Sequence, residues 1–232
     1  MVQTRTEPAL SDIIRWQMEK DNKRYWAGDN ISDYVSDGDK EFLIDELTVK
    51  FEGVLDSLLI DRATDPNSLG TAHRLAKMYY TEIMAGRYEE SPDATSFPND
   101  STESYKGMLV VRSEIKSMCS HHHQPVSGVA YIGIIAGKKL IGLSKYTRIA
   151  QWCARRGTLQ EELCNDIARE IAKSTESENV AVYIECEHGC CTNRGIMAHS
   201  SLTQTTVLNG AFLADLSTKK EFFDNILLQS RR

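Results

Sequence analysis

Two short clusters of thiol and imidazole constrain this chain more than any other feature. They are Cys119-Ser120-His121-His122-His123 and His188-Gly189-Cys190. Each stands at the end of a β-rich run, the first after Leu109, Val110, Val111 and Ile115, the second after the alternation Val180, Val182, Ile184. A fold that brings these two strand ends together gathers thiolate and imidazole donors at one centre, the donor set zinc takes. In extended chain, His188 and Cys190 point to the same side. Taken alone, the clusters fit three arrangements. They can be buried small thiols beside a solvated histidine loop, a closed Cys2His2 structural site, or a three-ligand site with an open position for water.

The surrounding composition narrows the setting. Six cysteines in 232 residues are too few for a disulfide scaffold, so reduced thiols and a cytoplasmic location are expected. The N-terminus lacks a signal-peptide pattern, and no apolar run approaches the roughly 18–20 residues of a membrane helix. A formal net charge of −6 argues against nucleic acid as a partner, because phosphate backbones demand a basic footprint. It leaves room for a local cationic pocket.

Hydrophobic periodicity sets the expected organisation. Leu10, Ile13 and Ile14 suit a short first helix. Ile44, Leu47, Phe51, Val54, Leu55 and Leu58 recur at three- and four-residue spacing, as on an amphipathic helix. After a turn at Pro66, Asn67 and Gly70, another helix is expected over 71–85. Residues 1–86 thus read as an N-terminal helical region, 87–106 as a polar loop, and 107–232 as the main domain. In that domain Ala136-Gly137-Lys138 reads as a hairpin turn from the 129–135 strand into Leu140 and Ile141. Ser144 and Thr158 are expected to open helices, Thr203 to Leu208 to form the last strand, and Ser217 to cap a C-terminal helix. This order predicts an α+β fold, an antiparallel sheet with helices on one face.

A second constellation is suited to phosphate. Ser144, Lys145 and Arg148 fall on the first turns of a helix, where free N–H groups and the helix dipole favour an anion. Arg74 and Lys77 share a helix face, and Arg194 follows the second thiol cluster. On their own, these charges equally describe solvated helix surface. Thr158-Leu159-Gln160-Glu161 fits a capping box. A carboxylate at that helix start can also accept the paired N–H donors of a purine edge.

Together the segments HRLAKMY (73–79), CSHHHQP (119–125), IGLSKYTRIAQWCARR (141–156), LQEEL (159–163), HGCCTNRG (188–195) and SSLTQTTVLNGAF (200–212) resemble GTP cyclohydrolase I, in that family's order. The resemblance runs from about residue 40 to the C-terminus. It implies the tunnelling fold and conversion of GTP to 7,8-dihydroneopterin triphosphate with release of formate. That reaction stands at the head of folate, tetrahydropterin and deazaguanine routes. It implies zinc held by Cys119, His122 and Cys190, activating a water for attack at C8 of the guanine, with His121 and His188 free for proton transfer. Glu161, with Gln160, would hold the guanine. Ser144, Lys145, Arg148 and Arg194 would take the triphosphate, joined by Arg74 and Lys77 from a neighbouring subunit. The family assembles as homodecamers with sites at subunit interfaces.

The chain departs from the family pattern at two points. Ser120 replaces the usual Glu between the first Cys and the His pair, and His123 replaces an apolar residue. The competing readings are therefore a zinc- and nucleotide-binding member with altered catalysis, and a deazapurine-pathway enzyme of the same fold.

Overall fold

The computed structural model describes residues 8–100 and 104–231. Residues 1–7 of the expected helical region and 101–103 of the expected loop lie outside the described residues, as does 232. The chain divides between Glu90 and Ser91 into two compact units.

The first unit is helical. Helix α1 spans Leu10–Lys20, α2 spans Lys40–Ser57, α3 spans Thr71–Met78 and α4 spans Ala85–Tyr88. The helix expected over 71–85 is interrupted: a π-helical turn occupies Tyr79–Ile83 before α4 begins. On α2 the apolar stripe is only half used, with Ile44 and Leu55 buried while Val54 is exposed. Ile44 packs with Ala76 and Tyr80, and Tyr80 stacks on Tyr88 with ring centroids 4.2 Å apart. The Arg87 guanidinium donates to the carbonyls of Tyr25, Trp26 and Asp29, tying the loop after α1 to α4.

The second unit carries strands β1 (Ser96–Pro98), β2 (Met108–Met118), β3 (Pro125–Ile135) and β4 (Lys139–Ile141). Helices α5 (Leu143–Ala154) and α6 (Gln160–Thr175) follow, then β5 (Val180–His188) and the single turn α7 (Gly189–Thr192). Strand β6 (Thr203–Leu208), α8 (Ala211–Ala214) and α9 (Leu216–Ser230) complete it. The main sheet has the order β2-β3-β5-β6 with every pairing antiparallel, as expected for an α+β chain.

Side-chain alternation separates the two faces. On one, Ala130, Ile132 and Ile134 of β3 and Val180, Val182, Ile184 and Cys186 of β5 pack against α5 and α6. Helix α6 contributes Leu163, Cys164, Ile167, Ala168 and Ile171, a continuous buried stripe. Each large apolar side chain buried there contributes roughly 1.5–3 kcal/mol. The other face is covered in part by α8 and α9, through Phe212, Phe222 and Ile226 against Tyr131 and Ala181. Gly133 makes this possible, since a Cβ there would lie 2.7 Å from the Phe222 ring.

Four local expectations give way to tertiary constraints. The expected hairpin into Leu140 does not form, because β3 is already bonded on both sides, by β2 and by β5. Strand β4 instead pairs with β1, which lies inside the expected loop. Helix α5 is capped by Gly142, so Ser144 falls inside its first turn. Leu159 is the N-cap of α6, and the Thr158 hydroxyl donates to Glu162 at 2.8 Å, so no capping box engages Glu161. Helix α9 is capped by the Asp215 carboxylate, which accepts from Thr218 N–H at 2.8 Å and from the hydroxyl of Ser217 at 2.6 Å.

Candidate active site

Three strand ends build the site. Met118 of β2 pairs with Pro125 of β3, and Val126 of β3 pairs with His188 of β5. The end of β2, the start of β3 and the end of β5 therefore lie side by side. Alternation along β5 from Val180 carries His188 out on the face covered by α5 and α6. On β2, Ser117 reaches the same face, where its hydroxyl donates to the Ala154 carbonyl at the end of α5.

Cys119 follows β2 directly and opens a tight reversal. Its N–H donates to Gln124 O at 3.0 Å, and His123 N–H donates back to Cys119 O at 2.9 Å. His123 takes φ +50°, a left-handed conformation in which Asn, Asp and His are enriched among non-glycine residues. The reversal leaves His121, His122 and His123 exposed. After β5, the turn of α7 brings Cys190 back toward the strand end, braced by the Thr192 hydroxyl on Glu187 at 3.0 Å.

The result is a cluster in which the donor atoms of Cys119, His188 and Cys190 all lie within 4.8 Å of one another. Cys119 is buried and the other two are half-buried. Burial pushes the Cys190 thiol up to about 11, reinforced by the neighbouring thiols of Cys191 and Cys119. Thiols crowded in this way resist ionising together, and a divalent cation removes that conflict by binding them as thiolates. The donor chemistry fits zinc. Burial also pushes the His188 imidazole down, while the negative charge of Glu161 acts the other way.

Behind the cluster stands Gln160, 3% exposed at the start of α6. Its amide oxygen lies 2.7 Å from His188 Nε2, and its amide nitrogen donates to Thr203 O at 3.0 Å and Thr205 Oγ1 at 3.1 Å. The resemblance sets Gln160 beside the guanine; its side chain is buried and bonded to His188, Thr203 and Thr205. One signal was available: Gln160 is a polar residue in register with the apolar stripe 163, 164, 167, 168, 171.

The other expected residues separate into groups. His121 and His122 have rings 6.3 Å apart, edge to face, and neither joins the cluster of three. The ligand set expected from the sequence thus shares Cys119 and Cys190 with the observed cluster, which has His188 in the place given to His122. Glu161 is exposed beside Gln160. Ser144, Lys145 and Arg148 sit on the first two turns of α5, with Ser144 and Arg148 exposed and the Lys145 ammonium on the Asp93 carbonyl. Arg194 is exposed after α7. Arg74 and Lys77 are exposed on α3 in the first unit, and the Arg74 guanidinium folds back onto Leu69 O at 2.8 Å and Thr71 Oγ1 at 2.8 Å.

An antiparallel sheet backed by two helices, with two thiols and an imidazole converging at one end, defines an α+β protein with a centre able to hold a metal ion. Comparison with known proteins sharpens that class. The GTP cyclohydrolase I family profile matches residues 50–227. GTP cyclohydrolase 1 of Flavobacterium johnsoniae is 36% identical over 190 residues, 81% of this chain and 83% of the relative. The enzymes of the same name from Campylobacter jejuni and Teredinibacter turnerae are 36% and 38% identical, covering 76% and 68% of this chain and 94% and 85% of the relatives. The chain belongs to the GTP cyclohydrolase I family, a family of hydrolases with the tunnelling fold.

Proposed function

We propose that this chain hydrolyses and rearranges GTP to 7,8-dihydroneopterin triphosphate, releasing formate, with residues 107–232 as the catalytic domain. The convergence of Cys119, Cys190 and His188 at one sheet end carries the proposal, because it gathers thiolate donors and a proton-transfer group at a single point. Cys119 and Cys190, with His122 from the adjoining reversal, hold zinc. The metal supplies Lewis acidity that makes a water nucleophilic near neutral pH.

The remaining work falls to the chain's own side chains. His188 gives a proton to the guanine imidazole ring at N7 as charge builds there, and His121 relays protons during ring opening. Glu161 accepts from the N–H edge of guanine; its carboxylate is exposed and takes no part in a helix cap. A site that relies on those hydrogen bonds discriminates against bases lacking them. The first turn of α5 has no side-chain cap, and there Ser144, Lys145 and Arg148, with Arg194, bind the triphosphate. Arg74 and Lys77 are supplied by a neighbouring subunit of a homodecamer.

The oligomer is inferred from membership of the GTP cyclohydrolase I family. No helix among the described residues is long and apolar enough to cross a membrane. We assign the protein to the cytoplasm on its six free cysteines. The test is direct. Zinc-loaded protein given GTP should release formate and yield a pterin that fluoresces after oxidation. Nucleotide binding without formate or pterin would instead favour the altered member that Ser120 suggests.

A further inference from the structure

The hydrogen bonds around Gln160 define which nitrogen of His188 is protonated. The Gln160 amide nitrogen faces three acceptors, Thr203 O at 3.0 Å, Thr205 Oγ1 at 3.1 Å and Ile184 O at 3.3 Å. Turning the amide over would point its oxygen at two backbone carbonyl oxygens, neither of which can donate. The amide orientation is therefore fixed by β5 and β6, and its oxygen is held 2.7 Å from His188 Nε2. An amide oxygen only accepts, so Nε2 must carry the hydrogen. Thr205 is held in turn: its hydroxyl interacts with the Cys164 thiol, which donates to Val182 O at 3.4 Å.

We propose that Thr205 is a positioning residue for the reaction, holding Gln160 against His188, whose ring carries hydrogen on Nε2 and works through Nδ1. The functional part rests on the role of His188 given above; the tautomer stands on the hydrogen bonds alone. The chain of contacts runs from β6 through the first residue of α6 to the end of β5. Losing the Thr205 hydroxyl removes one of the three acceptors that hold the Gln160 amide, while the carbonyls of Thr203 and Ile184 still oppose its reversal, so the Gln160–His188 bond should loosen with the tautomer kept.

Magic-angle-spinning 15N NMR of zinc-loaded, histidine-labelled protein tests this, with the His188 resonances assigned by comparison with His188→Gln. In alkaline buffer, where the ring is neutral, the wild-type spectrum should show hydrogen on Nε2. Thr205→Val should keep hydrogen on Nε2, broaden the His188 signals as the ring loosens, and lower kcat about 3- to 10-fold. KM for GTP should stay within about twofold, because in this assignment the hydroxyl meets Gln160 and not the nucleotide. Thr205→Ser should restore both readouts. Hydrogen on Nδ1 in the wild type would overturn the proposal, as would a Thr205→Val enzyme with wild-type His188 line widths and kcat. If the valine variant fails to fold, the wild-type spectrum decides. If the wild-type protein converts no GTP, the functional reading fails while the spectrum still decides the tautomer.

Discussion

Substituting Gly128 by alanine tests whether strand register holds the site together. Gly128 lies in β3 between Ile115 of β2 and Cys186 of β5. A Cβ there would fall 2.0 Å from the Glu185 carbonyl oxygen, 2.6 Å from Cys186 Cα and 2.7 Å from Cys186 Sγ. The two nearest atoms are backbone in a paired strand, so relief requires β3 and β5 to separate. Overpacking of a tight core costs about 1–3 kcal/mol, and each weakened ladder hydrogen bond adds roughly 0.5–1.5 kcal/mol. A total near 3 kcal/mol should lower Tm by about 6–12 °C for a chain of this size. The same separation acts two residues from the Val126–His188 pair, so zinc content should fall with Tm. Gly53→Ala is the control. Its Cβ would meet nothing within 4 Å, and in the interior of α2 it should stabilise by roughly 0.5–1 kcal/mol. Scanning calorimetry and metal analysis on the two variants give the answer. A Gly128→Ala protein that melts within about 2 °C of wild type and keeps its zinc would refute the register argument.

Three further outcomes are expected. Cys190→Ala should abolish both zinc binding and turnover, whereas His188→Ala should keep zinc and lose about 10²- to 10⁴-fold in kcat; loss of zinc from the His188 variant would make His188 a ligand. Glu161→Gln should raise KM for GTP roughly 10- to 100-fold, the scale of one charged hydrogen bond, with an unchanged melting curve because Glu161 caps nothing. Zinc affinity should rise with pH. The Cys190 thiol, held at about 11 by burial and by neighbouring thiols, stays protonated in the metal-free protein at neutral pH and must lose that proton to bind. Calorimetric titration in buffers of different ionisation enthalpy should therefore show proton release on zinc binding.

Much of this was legible in the sequence, and the reasons differ by element. Strands β2, β3 and β5 announce themselves because each alternates or runs apolar into a buried face, and the thiol clusters lie at their ends. Once the strands pair antiparallel, those ends must meet, so the convergence of Cys119 with His188 and Cys190 follows from topology. Helix caps were less legible. Ser144, Thr158 and Ser217 all have cap chemistry, yet Gly142, Leu159 and Asp215 occupy the cap positions, because packing of the helix body sets where each turn begins. The 136–138 turn has hairpin composition, but composition carries no record of β3 having both edges taken. The role of Gln160 was hidden for a related reason. Its partners Thr203, Thr205 and His188 are distant in sequence and meet it only through the sheet order.

In the proposed centre Cys119 and Cys190, 71 residues apart in sequence, share one zinc ion that keeps a position open for chemistry. X-ray absorption at the zinc edge of the purified protein measures this directly. The spectrum should show two sulfur ligands at about 2.3 Å, one imidazole nitrogen near 2.0 Å, and a fourth light atom that is displaced when a guanine nucleotide analogue binds. A closed shell of two sulfurs and two imidazoles that ignores the nucleotide, or a shell without sulfur, would contradict the proposed centre.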